Sequence, residues 1–404
     1  MAIPARLRQA RAALLLVFFV HGVVFALLVT RIPAIRDRYH LTGADLPLLL
    51  AAVPVLAGVG TLAVARVVRR FPPSTVIRVV QPVICLTLVG VGVGRSLWQL
   101  VLCLAVFGLL AGALEAVQSM TGVELERRYG RSIMLRFHGA SSLGGIVGAA
   151  LAWAGARGGF PLAAVYTVPV LVLLPAAVAA GRRLSPGPGG STAPAPARTR
   201  PAGGRRVPWR PLLPLGLILT IAVVADSTAA NWSATFVRDT LGGSEALATV
   251  PYALYMAATL LGRGFGDLAV RRWGAAAVVR TGAVVSSAGF AVLAAAPGPW
   301  AGVLGFGVLG AGLSVIIPQV FTVGARTLPG APDTAVARVN LFNYVGFLLG
   351  PPLVGAVGTA VSYRLAMCVP LVLVLGVVFL ARSLAVPGGA APGRPARPEP
   401  AAAR

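Results

Sequence analysis

The chain has 404 residues, of which 57% are apolar and only 11% charged, and its mean hydropathy is +0.84. A soluble globule of this size cannot hide so much apolar surface, so most of it must face lipid. The net charge of +24 comes entirely from arginine, with no lysine, and is spread over many connections rather than gathered on one element. That distribution argues against a nucleic-acid partner.

Roughly 20 apolar residues are needed to cross about 30 Å of hydrocarbon. Twelve such runs follow one another, near 12–30, 46–65, 75–94, 97–120, 138–156, 160–181, 212–236, 246–266, 275–296, 300–324, 336–358 and 365–383. Arg6, Arg8 and Arg11 precede the first run, but no small-residue cleavage site follows it, so it reads as a transmembrane helix rather than a secretory signal. The expected organisation is a six-helix bundle over 1–181, a Pro/Gly/Ser-rich cytoplasmic linker over 182–211, a second bundle over 212–383 and a disordered tail over 384–404.

With the amino terminus inside, the inner connections hold 28 arginines. The outer ones hold Arg31, Arg36, Arg38, Arg95, Arg157, Arg238 and Arg364 only. This asymmetry predicts that both termini are cytoplasmic. Cys85, Cys103 and Cys368 all fall inside spans and are expected to pack as small hydrophobes, without a disulfide or a metal.

The two halves repeat each other at an offset near 200. LTGAD at 41–45 falls on LGGSE at 241–245, and FGLLAGALE at 107–115 falls on FGVLGAGLS at 306–314. Gly144 and Gly148 fall on Gly346 and Gly350, a spacing of small residues that lets helices approach closely. Between spans eight and nine, Gly262, Arg263, Gly266, Asp267, Arg272 and Gly274 form a pattern with a degraded copy at 65–72. An even number of spans per copy keeps both copies in one orientation. The chain therefore reads as an all-α polytopic membrane protein of twelve transmembrane helices in two parallel six-helix repeats.

That architecture, with the glycine, Asp and Arg pattern at 262–274, resembles the major facilitator superfamily. RIPAI after span one, VELERRYGRSIMLRFHGASSLGG at 123–145, NWSATFVRDTLG at 231–242 and NYVGFLLGPPLVG at 343–355 are similar to the fucose-permease-like branch of bacterial inner-membrane carriers. The resemblance implies spans one, four, seven and ten around a central cavity, a monomeric carrier with no cofactor, and proton symport of a small solute.

Candidate site residues follow in chain order. His21 lies on span one, where the resembling family places an acid. On span four, Gly108, Gly112, Glu115 and Ser119 share one helical face. Glu115 and, on span seven, Asp226 are the two of eleven acids in the middle of apolar runs. An intramembrane carboxylate is costly enough to be a functional-site hypothesis by default. Both are therefore candidates for proton coupling; the alternatives are a structural hydrogen bond to Ser119 or a neighbouring backbone group for Glu115, and an ordinary solvated acid in a wet vestibule with Ser227, Thr228, Asn231 and Ser233 for Asp226.

Ser119, Asn231, Trp232, Gln319, Asn340, Asn343 and Tyr344 are the polar or amphipathic groups that could meet a solute, although Trp232 equally suits a membrane interface. Pro318, Pro351 and Pro352 are expected to break their helices. Asp267 with Arg263, Arg271 and Arg272 forms a candidate inner gate. No His, Cys or acid has metal-ligand spacing, and no catalytic constellation or phosphate-cradling loop is present. A proton-coupled secondary transporter in a bacterial cytoplasmic membrane is the leading expectation. Efflux of an amphiphilic compound is the alternative, although Leu104 stands where drug antiporters of the superfamily carry an arginine and 144–148 lacks their proline. A transporter-like sensor is a further alternative.

Overall fold

The computed structural model describes residues 4–42, 45–130, 133–184, 208–328 and 332–384, with backbone only for Asp267, Pro332 and Asp333. Among the described residues there is helix and no strand. The first half comprises α1 (Ala5–Thr30), the short α2 (Ile32–Tyr39), α3 (Asp45–Val67), α4 (Pro73–Val93), α5 (Leu97–Tyr129), α6 (Met134–Arg157) and α7 (Leu162–Arg183). The second comprises α8 (Leu213–Thr235), α9 (Val250–Trp273), α10 (Ala275–Ala295), α11 (Pro299–Leu313), α12 (Ile316–Thr327), α13 (Pro332–Ala360), α14 (Tyr363–Ala366) and α15 (Cys368–Leu380).

Among the described residues, eleven helices, counting α11 with α12 and α14 with α15 as single spans, are long and apolar enough to cross a membrane. The twelfth, α9, is 24 residues long but carries Tyr252, Tyr255 and Arg263. Span four runs further than expected, to Tyr129, where Gly130 in the left-handed conformation ends it. Glu126 then accepts hydrogen bonds from the backbone N–H groups of Ile133 and Met134, at 2.7 and 2.9 Å, and so caps the first turn of α6.

The prolines act unequally. Span ten is interrupted between Leu313 and Ile316, because Pro318 has no N–H to offer the Ser314 carbonyl. By contrast, α13 runs through Pro351 and Pro352, so the break expected there does not occur. The carbonyl of Pro351 instead accepts a hydrogen bond from the indole of Trp232 at 3.2 Å.

Packing repeats along with the sequence. In the first half α1 lies on α6, α3 on α5, and α4 on both α5 and α7; in the second, α8 lies on α13, α9 on α11, and α10 on both α11 and α15. These are corresponding pairs. A Cβ on Gly144 or Gly148 would run into backbone carbonyls of Phe19 and Val23 on α1, and one on Gly346 would run into Thr220 and Val223 on α8. Gly112 likewise lies against the backbone of Ala57 on α3. Lipid offers no hydrophobic drive between helices, so close contact through small residues has to supply it. Between the halves, α6 meets α9 and α3 meets α13.

Ion pairs tie the halves together at the end of the bundle opposite Ala5 and Leu384. Arg238, in the π-turn Phe236–Thr240 that ends α8, holds Asp37 of α2 through two hydrogen bonds of 2.7 and 3.0 Å and also pairs with Asp239. Arg36 reaches Asp239 at 2.7 Å, and the buried Arg31 reaches Glu245 at 2.6 Å. Tyr39 and Arg38 anchor α2 by donating to the carbonyls of Val91 and Gly94 at the end of α4. The two acids matched by the repeat have diverged. Asp45 accepts from the Thr42 backbone and hydroxyl, whereas Glu245 crosses to the other half. The hydrogen bonds from Arg238 hold the Asp37 carboxyl below the usual carboxylate range.

Two outcomes are expected. Gly148→Leu should cost about 1–3 kcal/mol or more by overpacking the seam between α1 and α6, seen as a lower apparent Tm of the purified protein and absent for Gly376→Leu, which has open space. Arg238→Ala should lengthen spin-label distances between α2 and the π-turn. In the unsubstituted protein the contribution of Asp37 is present above its ordinary value and lost as pH falls through the lowered one. Those distances should therefore hold from pH 7 to about 5 and lengthen only below the ordinary Asp value of about 3.9.

Candidate functional site

A cavity of about 660 Å³ lies between the halves, walled by α1, α3, α5 and α6 on one side and α8, α9 and α13 on the other. It extends from the middle of the bundle, at Phe25, Phe107 and Asn231, toward the ends of helices that meet near Thr61, His138, Arg263 and Asn340. The ion-paired end lies beyond its roof. There it continues into a small apolar pocket of about 50 Å³ that shares Phe25, Val53, Phe107 and Asn231 with it and adds Leu28, Ile32 and Leu46.

Glu115 and Asp226 both line the cavity, and they stand near enough for their charges to repel. On α5 the shared face divides in two. Gly108 and Gly112 pack against the backbone of Val53 and Ala57 on α3, while Glu115, Gln118 and Ser119 reach the cavity. Ser119 makes no hydrogen bond to Glu115 among the described residues, and the Glu115 side chain is exposed to the cavity.

Asp226 is differently placed. Its carboxylate accepts a hydrogen bond from the Tyr255 hydroxyl on α9, and the positive charge of Arg263 acts on it. On α9, Tyr252, Tyr255, Met256 and Arg263 fall within one face about 100° wide at ~100° per residue, and that face fronts the cavity. Rings stack along this wall, Tyr252 on Tyr255 at 6.3 Å between centroids, with Phe25 from α1 at 6.5 Å from Tyr252.

His21 lines the cavity, its Nδ1 accepting from the Gln118 amide at 3.2 Å, which leaves the buried Gln118 Oε1 without a partner. Asn231, Asn340, Asn343 and Tyr344 line it as well, with the Asn231 amide donating to the Ser227 carbonyl at 2.8 Å.

Two expected solute groups lie elsewhere. Trp232 is fully buried between α8 and α13, its ring tilted against that of Tyr363 at 5.2 Å between centroids, with its indole N–H committed to the Pro351 carbonyl. Gln319 is buried on α12 and does not line the cavity, because the break before Ile316 turns that segment onto α13 and α8. The inner cluster also separates. Arg263 faces the cavity, whereas Arg272 lies over the ring of Trp273 at 5.4 Å. The Asp267 side chain is outside the described residues.

Sequence reading missed Gln118, Tyr252 and Tyr255. Gln118 is one helical turn from Glu115, and two tyrosines three residues apart in the least apolar span were the available signal for the others. Among the described residues no group of His, Cys, Asp or Glu could hold a metal.

A family model described as Major Facilitator Superfamily matches residues 14–331 and 215–403. An uncharacterized MFS-type transporter of Yersinia pestis is 29% identical over 363 residues, covering 89% of this chain and 91% of its own. An uncharacterized transporter of Sinorhizobium fredii is 28% identical, covering 86% and 91%. Among solved structures, a mutant of the nucleoside transporter NupG superimposes with a TM-score of 0.73 at 12% identity, over 93% of this chain and all of its own. A bacterial homologue of the human lysosomal transporter Spinster, in an inward-facing and occupied conformation, gives 0.73 at 14%, over 95% and 97%. The twelve-span repeat and the match along nearly the whole chain place this protein in the major facilitator superfamily.

Proposed function

We propose that this chain is a proton-coupled secondary transporter that moves a small polar solute by alternating access, with Glu115 as the principal proton site. The observation that supports this reading most is the state of Glu115. A carboxylate in the middle of the bundle, with no hydrogen-bond partner among the described residues, faces a cavity large enough for a small solute. A carboxyl group so placed exchanges a proton as its surroundings wet and dry. Moving one charge through 100 mV is worth about 2.3 kcal/mol, so one such group suffices to drive a substantial gradient.

The ion-paired end is then the closed outer gate, and the cavity leads toward the cytoplasm, in keeping with the arginine asymmetry that puts both termini inside. The Arg36–Asp239 and Arg238–Asp37 pairs, in partial contact with water, are each worth only about 0.2–1 kcal/mol, whereas the pair made by the buried Arg31 costs more to break. Such a clasp is strong enough to bias one state and weak enough to open. Each half would move as a unit, with bundles over 1–181 and 212–383 joined by the linker 182–211. We further propose a monomeric carrier in a bacterial cytoplasmic membrane, within the fucose-permease-like branch that the sequence resembles. Arg263 and, on the inner connection, Asp267 and Arg272 are proposed gate residues.

Asp226, with Tyr255 and Arg263, is proposed to bind solute or a second proton, beside His21, Ser119, Asn231, Asn340, Asn343 and Tyr344. A second reading, efflux of an amphiphilic compound, is favoured by one observation, the apolar pocket that continues the polar cavity.

Purified protein in liposomes with an imposed proton gradient should accumulate a solute from a panel of sugars, nucleosides, amines and drugs. Glu115→Gln should abolish uphill accumulation while slower exchange persists at saturating solute; equal loss of both would assign Glu115 a structural role. Asp226→Asn should instead reduce exchange as well.

A further inference from the structure

The two cavity carboxylates are not equivalent, and the difference points to a class of solute. Asp226 has a hydroxyl donor in Tyr255 and a compensating charge in Arg263. Glu115 has no hydrogen-bond partner among the described residues, and the charge acting on it is that of another carboxylate. With both acids ionised and Arg263 charged, the cavity is left with one negative charge, located on Glu115. His21 and His138 also face the cavity, but the Nδ1 of His21 is engaged as an acceptor and His138 sits edge-on to the Phe18 ring at 5.6 Å beside the field of Arg263. Neither supplies Glu115 with a partner.

The walls around this charge are aromatic. Seven of the 34 lining residues are Phe or Tyr, a threefold excess over the 28 aromatic residues among 404. Aromatic faces attract a desolvated cation and stack on flat rings, and an unpaired carboxylate attracts the same cation more strongly. A closing bundle cannot retain an unpaired charge at its centre.

We infer that the solute is a monovalent organic cation, an amine on a flat or apolar body, whose charge is held by Glu115 and whose body lies against Phe25, Tyr252 and Tyr255. This rests on the transport reading above and sharpens its coupling. A proton and the amine neutralise the same carboxylate, so each excludes the other, and movement of one in exchange for the other follows. The apolar pocket shared through Phe25 and Phe107 receives the far end of the body.

The test uses matched sets that differ only in charge, on phenyl, indolyl and naphthyl bodies, each as the ethylamine, the alcohol and the carboxylate. Binding to the purified full-length protein is measured by titration between pH 6 and 8. At least one amine should bind about tenfold or more tighter than its alcohol, with the carboxylates weaker still. Its affinity should weaken as pH falls, by up to about tenfold per unit, because protons then occupy Glu115. Glu115→Gln should erase both the preference for amine and the pH dependence.

Alcohols binding as well as amines, no amine binding on any body, or an amine preference that survives Glu115→Gln would each overturn the assignment. Flux in liposomes separates this from the wider reading. Proton-driven movement of neutral solutes alone would leave transport standing and remove the cation, whereas tight amine binding with no flux of any solute would do the reverse.

Discussion

A carboxylate cannot be kept unpaired in hydrocarbon, and the interior of this bundle is arranged around that constraint. Glu115 is tolerable only because the halves part around it, leaving a cavity of about 660 Å³. The cavity in turn requires that the helices bearing its walls be held in place by contacts on their other faces. Hence α5 presents Gly108 and Gly112 to α3 and, one turn further along the same face, Glu115 to the cavity. Packing and chemistry share one face of the helix and are separated along its axis.

The duplication makes the asymmetry of the two halves informative. The position that corresponds to Glu115 in the second half is Ser314, whose hydroxyl donates to the Ala311 carbonyl of its own helix and packs against Gly262. The serine is satisfied locally. The glycine seams between α1 and α6 and between α8 and α13 have been kept in both halves, so the scaffold is symmetric where helices touch. It is asymmetric at the cavity, where one half carries Glu115 and the other a locally bonded serine.

Much of this was legible in the sequence, and the reasons for success and failure are physical. Apolar runs report spans directly because the lipid demands them, and an acid inside such a run stands out by its cost, as Glu115 and Asp226 do. Gly144, Gly148, Gly346 and Gly350 were readable because close packing needs small residues at a fixed period. Trp232 was misplaced because an amphipathic ring gives no sign of which neighbour will take its N–H, and that neighbour, Pro351, is 119 residues away. Arg263 was read with Asp267 and Arg272 as part of an inner gate since it lies near an inner connection, but the phase of α9 turns it with Tyr252 into the cavity. One-dimensional distance from a loop does not determine the direction a helix faces.

The seven outer arginines make the same point with more consequence. Counted as a sum they indicate orientation, because insertion responds to the number of positive charges and hardly to their partners. In the folded chain Arg31, Arg36 and Arg238 instead meet Asp239, Glu245 and Asp37, most of them about 200 residues away, across the two halves. Four of the eleven acids of the chain are outer ones, and three of these are engaged in that clasp. Three of the eleven acids of the chain thus tie the halves together at the end opposite the cavity's mouth. The Arg36 and Arg238 pairs there are in partial contact with water and carry modest energies, whereas an ion pair at the depth of Glu115 would carry a large desolvation cost. Charge pairing between the halves is thus concentrated at one end of the bundle, and the central carboxylate stands without a hydrogen-bond partner among the described residues.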